Sequence, residues 1–407
     1  MSLMSFEEVR GKLLEAARPL EETEQVDAFA AVGRVLARAQ ASGISVPPLD
    51  NSAMDGYAVR AADVAAAGSR LAVSQRIPAG AVGGPLAPGT AARIFTGAPL
   101  PEGADAVVMQ ERCELLDGGA VQVNHVPRAG DNVRRAGEDI RAGDEVLAAG
   151  QRLAPQDIGL AASIGLAELP VFRRLRVALF STGDELSQPG EPLRPGGIYN
   201  SNRYTLRGLL GALGCEVDDL GIVRDDLAAT RAALRRAAGA DVVLTCGGVS
   251  VGEEDHVKSA VAAEGNLDLW RIAMKPGKPL AFGKIRRGAE AAAGEAAFIG
   301  LPGNPVSAFV TFLMLVRPYL LARMGARVTA PRGFPLRADF DWRKPDRRRE
   351  FLRVRINGEG GLDLFENQGS GVLTSCSWGD GLADIAPGQA VGRGETVRFL
   401  PFSELLY

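Results

Sequence analysis

The residues best suited to chemistry gather where short apolar runs give way to small and polar residues. Leu179-Phe180 leads into Ser181-Thr182-Gly183-Asp184-Glu185. Val242-Val243-Leu244 leads into Thr245-Cys246-Gly247-Gly248-Val249-Ser250-Val251-Gly252-Glu253-Glu254-Asp255, and Phe298-Ile299 leads into Gly300-Leu301-Pro302-Gly303-Asn304-Pro305. Glycine lacks a Cβ, so backbone amides in such loops can converge on a phosphate, and the start of a following helix adds a favourable dipole. The carboxylates of Glu185 and Asp255 would repel a bare anion. A hard cation between them removes the conflict, because Mg2+ is commonly held by one or two carboxylates together with phosphate oxygens. A fourth segment, Met274-Lys275-Pro276-Gly277-Lys278-Pro279, sets two lysines on a proline-stiffened turn that could meet an oxyanion. Singly, each loop has the composition of a plain turn or helix cap, and the lysine turn that of a solvated basic turn. Three such loops in one sheet point to an anionic ligand with a metal.

The elements that must position these loops follow from periodicity. Strands over 177–180, 217–223 and 241–245 alternate with helices over 204–213, 227–238 and 257–264, which predicts a parallel sheet with helices on both faces from 175 to about 323. Strands over 280–282 and 297–299 follow, separated by an exposed hairpin tip at 286–295, and a long helix begins at Val306. Ligands of such sheets sit beyond the carboxyl ends of the strands, where all three loops fall. Upstream, Ser5-Phe6-Glu7-Glu8 has the form of a capping box and opens an amphipathic helix running to Pro19. From about Ala41 to Gly150, short apolar runs broken by Gly and Pro predict a β-rich region. Met1-Ser2-Leu3, ahead of a second methionine, carries no signal. Downstream, Pro331, Gly333 and Pro335 mark a linker, and a strand over 351–356 belongs to a small β domain. The domains are 1–174, with two β-rich subdomains of which one is inserted at about 46–140, then 175–326 and 327–407.

Composition narrows the function. With 407 residues the chain is too long for one ordinary core. Its 46 basic and 49 acidic residues give a net charge of −3 and no global field for nucleic acid. The longest apolar run, 306–316, is broken by Ser307 and Thr311 and falls short of the roughly 20 residues of a membrane span. No basic segment precedes an apolar one at the N-terminus, so the expected location is the cytoplasm. Cys113, Cys215, Cys246 and Cys376 lie far apart, and only His125 and His256 are present, so neither a zinc site, a disulfide framework nor a Ser-His-Asp triad is suggested.

Read together, Asn51-Ser52-Ala53-Met54-Asp55-Gly56-Tyr57-Ala58, Phe95-Thr96-Gly97-Ala98, Gly137-Glu138-Asp139, Ser181-Thr182-Gly183-Asp184-Glu185-Leu186, Gly247-Gly248-Val249-Ser250-Val251-Gly252, Lys275-Pro276-Gly277-Lys278-Pro279 and Gly300-Leu301-Pro302-Gly303-Asn304-Pro305-Val306-Ser307 closely resemble the molybdopterin molybdenumtransferase (MoeA) family, which includes the E domain of gephyrin. The match is ordered and spans nearly the whole chain. It implies a multidomain α/β plus β protein with a central doubly wound α/β molybdopterin-binding domain, β-rich N-terminal domains and a small C-terminal β domain. It implies Mg2+-dependent insertion of molybdate into adenylylated molybdopterin with release of AMP. It further implies a homodimer whose cleft is shared between subunits, with the molybdopterin adenylyltransferase and downstream molybdoenzyme machinery as partners.

Carried over by motif, Asp55 and Thr96 are expected from the N-terminal half, with Glu185 and Asp255 on the sheet loops as catalytic carboxylates and metal ligands, and Asp225 as a further metal ligand. Lys275 and Lys278 are expected to face oxyanions. Ser181, Thr182, Gly183, Gly247, Gly248, Ser250, Pro302, Gly303 and Asn304 are the expected binding residues. Cys246 departs from the family's usual serine before Gly-Gly; packing explains it more simply than metal capture. The adenylyltransferase that makes the substrate is a rival reading, but a bifunctional chain would need a second doubly wound segment, and the sequence holds one. A scaffold without catalysis could dispense with Asp55, Glu185 and Asp255, yet all three are present.

Overall fold

The computed structural model describes residues 3–248, 256–288 and 294–406, so Ser250 and Asp255 lie outside the described residues. Its centre is a seven-stranded sheet in the spatial order Leu3–Met4, Gly265–Ile272, Pro279–Arg286, Glu295–Leu301, Val242–Cys246, Arg176–Thr182, Glu216–Val223. The last four strands run parallel. Val242–Cys246 is buried throughout and Arg176–Thr182 at all but its first residue. That is why both read as unbroken apolar runs: helices cover both faces. Phe6–Ala16, Ser201–Ala212 and the helix Pro305–Arg323 pack on one face, and Leu227–Ala237 with His256–Glu264 on the other.

The parallel pairing stops at Pro279–Arg286, which runs antiparallel to both of its neighbours, as the hairpin expected at 286–295 requires of its pairing with Glu295–Leu301. Arg286 pairs with Glu295 and the Arg287 amide donates to the Gly294 carbonyl, so this connection is a hairpin, too short for the crossover that parallel strands require. Gly265–Ile272, which follows its helix without an intervening turn, was not foreseen. Pro305–Arg323 is apolar and long enough to cross a membrane, but 89% of its apolar window is buried inside the protein, consistent with a core helix.

At the N-terminus, Ser5 Oγ accepts the Glu8 amide at 3.0 Å, fixing the start of the first helix. Leu3, from the segment that carried no signal, pairs with Arg271 at the edge of the central sheet. The β-rich region forms a six-stranded sheet in the order Ala106–Met109, Gly56–Val59, Thr90–Ile94, Ser69–Ile77, Ala120–Val123, Cys113–Leu115. The chain enters and leaves it side by side, with Val46 bridged to Ile140. An unforeseen helix, Pro155–Ser163, packs among the ladders that follow.

The linker expected at Pro331, Gly333 and Pro335 ends earlier: Pro331 and Gly333 lie outside regular structure, and Pro335 is already in the C-terminal sheet. Phe334–Arg337 is an edge strand paired antiparallel with Thr396–Pro401, and an edge is where a sheet tolerates proline. At the other edge Met274–Lys275 pairs parallel with Arg349–Ile356, placing Lys275 opposite Glu350. The lysine turn is thus shared between the central domain and the C-terminal sheet.

Candidate active site

From Arg176–Thr182 the chain passes to Glu216–Val223 on one side, then returns to Val242–Cys246 on the other. The crevice between Arg176–Thr182 and Val242–Cys246 is therefore the topological switch point, where two loops leave in opposite directions and open a space. A cavity of about 970 Å3 lies there, and the four strand-end segments read from the sequence all contribute to its lining. It gathers Ser181, Thr182, Gly183, Glu185, Asp225, Gly247, Gly248, Lys275, Lys278, Pro302, Gly303 and Asn304.

Glycine is required in the floor. Gly247 and Gly248 adopt φ values of 96° and 64°, and a Cβ on Gly247 would stand 2.6 Å from the Thr182 carbonyl oxygen. The two loops touch through backbone at Gly247, whose amide donates to the Leu301 carbonyl at 3.2 Å, and Gly248 lies against the side chains of Val257 and Thr182. Around it, Ser181 Oγ, Thr182 Oγ1 and Asn200 Nδ2 are buried without a hydrogen-bond partner among the described residues. Buried polar atoms cost free energy unless satisfied, and all three belong to residues that line one cavity, as a site for a polar ligand would require.

Asn200 and Asn202 were missed by the sequence reading, which started that helix at 204. Asn200 Oδ1 caps the helix Ser201–Ala212 by accepting the Arg203 amide at 3.2 Å. Asn202 Nδ2 donates to the Gly303 carbonyl at 2.7 Å and to Cys246 Sγ at 3.1 Å, tying three loops together. The signal was present in Asn200-Ser201-Asn202, whose residue types favour helix caps. Cys246 is buried, its thiol donates to the Pro302 carbonyl, and burial pushes its pKa up to about 12. It is a neutral thiol at physiological pH and belongs to the packing.

Glu185 folds back over Gly183, whose absent Cβ leaves room for the carboxylate. Glu185 and Asp225 both line the cavity, and the Asp225 amide donates to Asp184 Oδ1 at 3.3 Å. Among the described residues no group of three His, Cys, Asp or Glu side chains is gathered as a metal site. Two hard carboxylates lining one cavity could hold Mg2+, which takes few protein ligands and completes its octahedron with other oxygens.

The lysines differ in their partners. Lys275 Nζ pairs with Glu350 Oε1 at 2.9 Å and stands 5.7 Å from the centre of the Trp342 ring, while Trp342 Nε1 donates to Glu350 Oε2 at 2.8 Å. Lys275 is therefore held at the cavity wall rather than freely extended. Lys278 is exposed at the cavity rim. The C-terminal domain closes the remaining side with Arg348 and the segment 368–371, neither of which was foreseen as site residues. Ser370 carbonyl accepts the Val306 amide at 2.9 Å, and Arg353, buried, donates to the Gly369 carbonyl and to Ser375 Oγ. Nothing in its local pattern marks Arg348, and Gln368-Gly369-Ser370-Gly371 fits the family only loosely; tertiary contact brings both to the cavity.

Asp55 and Thr96 do not line this cavity. They lie at the end of the N-terminal sheet, where Asp55 Oδ1 accepts both the amide and the hydroxyl of Thr96 at 2.8 Å. Those bonds, the amide first, hold the exposed Asp55 carboxyl below its ordinary value.

Three family models match in order: "MoeA N-terminal region (domain I and II)" over residues 4–165, "Probable molybdopterin binding domain" over 178–322, and "MoeA C-terminal region (domain IV)" over 335–402. A molybdopterin molybdenumtransferase of Haemophilus influenzae is 38% identical over 99% of this chain and 100% of its own. Molybdopterin molybdenumtransferase 2 of Mycobacterium tuberculosis is 40% identical over 82% of this chain and 85% of its own. Among solved structures, the molybdopterin biosynthesis MoeA protein of Pyrococcus horikosii aligns with a TM-score of 0.79 at 32% identity, covering 98% of this chain and 99% of that one.

Proposed function

The chain belongs to the molybdopterin molybdenumtransferase family, and from that premise we propose that its cavity takes adenylylated molybdopterin and molybdate, with Mg2+, and yields molybdenum-loaded cofactor and AMP. One observation carries the reading: a floor with Ser181, Thr182 and Asn200 atoms unpartnered among the described residues, beside Gly247-Gly248, shares one cavity with the cations Lys275, Lys278 and Arg348. The floor suits the phosphate of the pterin, since hydroxyl and amide groups converge there, while the Glu185 and Asp225 carboxylates that line the same cavity would need a cation between them and that phosphate. The wall suits a small divalent oxyanion. Lys275, anchored by Glu350, presents its charge from a fixed position, and positive charge in place before reaction stabilises developing negative charge without reorganisation.

Glu185 and Asp225, with Asp255, would hold Mg2+ against the phosphates. Bound Mg2+ supplies charge neutralisation at the phosphate oxygens. The protein's own part is to orient the phosphoanhydride on the floor and the oxyanion on the wall, so that both partners meet in one geometry. The pterin's dithiolene, rather than a protein thiol, receives the metal, in keeping with the neutral, buried Cys246. Asp55 and Thr96 lie outside the cavity of their own chain, which supports a homodimer in which Asp55 and Thr96 of the partner subunit approach it. Such a substrate must come from an adenylyltransferase.

AMP release from adenylylated molybdopterin, with and without molybdate and Mg2+, tests this reading. Wild-type protein is expected to require both, and Lys278→Ala to lose about 10²-fold in rate, the scale for removing one preorganised charge or donor. AMP release indifferent to molybdate would refute the reading. Mixing Asp55→Ala with Glu185→Ala protomers should restore activity to two inactive proteins if the cleft is shared; no recovery on subunit exchange would remove the shared cleft.

A further inference from the structure

A second cavity, of about 460 Å3, adjoins the first and is lined by Leu3, Arg271, Lys278, Asp346, Arg347 and Arg348. Lys278 and Arg348 line both cavities, so a single cationic wall stands between them. Of the charged side chains facing the second cavity, four are positive and one is negative. The negative one is already committed: Arg348 donates to Asp346 at 3.0 and 2.6 Å, and those bonds hold the Asp346 carboxyl far below its usual range. Asp346 thus compensates Arg348. Arg271, Lys278 and Arg347 are exposed and have no ion pair or side-chain hydrogen bond with any described residue.

The sequence run Arg347-Arg348-Arg349 makes the contrast plain. Arg349 clasps the domains together, bonding Asp384 bidentately and reaching Glu7 on the first helix. Arg348 pairs with Asp346. Arg347, between these two and without an ion pair among the described residues, lines the hollow. Arg271 arrives from another element, at the sheet edge where it pairs with Leu3. Two separate segments thus place unneutralised charge in one concavity, where like charges repel unless an anion is present. A concave surface of one sign focuses field lines and raises the local concentration of counter-ions, increasing association rates by about 10- to 10³-fold.

We propose that this hollow is an antechamber that binds a small divalent oxyanion of the molybdate class weakly and delivers it past Lys278 and Arg348 into the main cavity. The inference rests on the proposed function for the identity of the ion. The capture residues are Arg271 and Arg347, neither of which lines the main cavity.

The test uses the double variant Arg271→Gln/Arg347→Gln in the full chain, with its thermal midpoint as a folding control. Molybdate binding is measured directly by calorimetry at low and high ionic strength, beside the dependence of AMP release on molybdate. The expected result is molybdate affinity and kcat/KM for molybdate lowered about tenfold at low salt, a flattened salt dependence, and unchanged kcat at saturating molybdate. Sulfate should displace molybdate from wild type more readily than from the variant. Equal affinity and equal salt dependence in the two proteins would overturn the antechamber, as would a wild type that binds no molybdate at low salt. If wild type binds molybdate through these arginines but releases no AMP, the proposed function fails and the antechamber stands. If AMP release is normal and the variant matches wild type, the antechamber alone falls.

Discussion

The two ends of the central sheet treat polar groups in opposite ways. At the amino end, Asp241 immediately precedes Val242–Cys246, and its nearly buried carboxylate accepts two bonds from Arg173 at 2.7 and 2.9 Å and the Arg176 amide at 2.8 Å. Burial pushes this carboxyl up, but the Arg173 bonds, the Arg176 amide and the charges of Arg173 and Arg287 together bring it below its ordinary value. At the carboxyl end, Ser181 Oγ, Thr182 Oγ1 and Asn200 Nδ2 are equally buried, with no partner among the described residues. One end of the same strands is closed and contributes to stability; the other leaves polar atoms without a partner among the described residues, as the proposed ligand requires. A buried polar group has to be accounted for, and here the account depends on which end of a strand it occupies.

The comparison can be broken. Asp241→Ala should cause the largest loss of stability, about 3 kcal/mol, since it leaves the Arg173 guanidinium without its principal partner in a mostly buried site. It should lower the thermal midpoint without changing ligand affinity. Glu350→Gln tests an exception, a satisfied carboxylate near the open end: loss of the pair with Lys275 should cost about 1–2 kcal/mol and raise KM for the oxyanion. Ser181→Ala should do the reverse of Asp241→Ala. Removing a buried hydroxyl that has no partner among the described residues leaves the melting temperature equal or slightly higher, while affinity for the pterin phosphate falls about tenfold, or about 1.4 kcal/mol.

The smallest effect is one in which the two ends agree. Cys215 near the amino end and Cys246 at the carboxyl end are both pushed up to about 12 by burial, and Cys113 to about 11. Above the ordinary thiol value of 9.0 the unfolded chain releases protons that the native protein keeps. Stability should therefore be undiminished by these groups below pH 9 and decline from there toward pH 12. Unfolding midpoints across that range, and slow alkylation of Cys246 at pH 8, check this; fast alkylation would mean that the thiol is not sealed by Asn202 and Pro302.

Legibility in the sequence followed the range of the interactions. The loops at 181–185, 247–248 and 302–304 were readable because an apolar run turning abruptly to glycine and hydroxyl residues is a local signature of a strand end, and the cavity gathers them. Arg348 and the segment 368–371 were not readable: they reach the cavity because Met274–Lys275 pairs with Arg349–Ile356, a contact that no local pattern encodes. The hairpin that turns Pro279–Arg286 antiparallel to Glu295–Leu301 was legible in the exposed composition of 286–295, whereas Gly265–Ile272 opens on Gly265-Asn266, turn formers that hide the start of a strand. Pro335 looked like a linker because a proline's local preference does not say whether a sheet edge will be available to hold it. The Asp55 and Thr96 motif was visible as a motif, and its distance from the cavity of its own chain was visible only in the fold.

The most direct test of the division between the two ends is a calorimetric titration of adenylylated molybdopterin into wild type, Thr182→Ala and Asp241→Ala, each paired with its melting temperature. The expected result is a crossing: Thr182→Ala binds about tenfold more weakly at an unchanged melting temperature, and Asp241→Ala melts earlier at an unchanged dissociation constant. A Thr182→Ala protein that binds like wild type, or an Asp241→Ala protein that loses affinity while keeping its melting temperature, would contradict the assignment of the open end to the ligand.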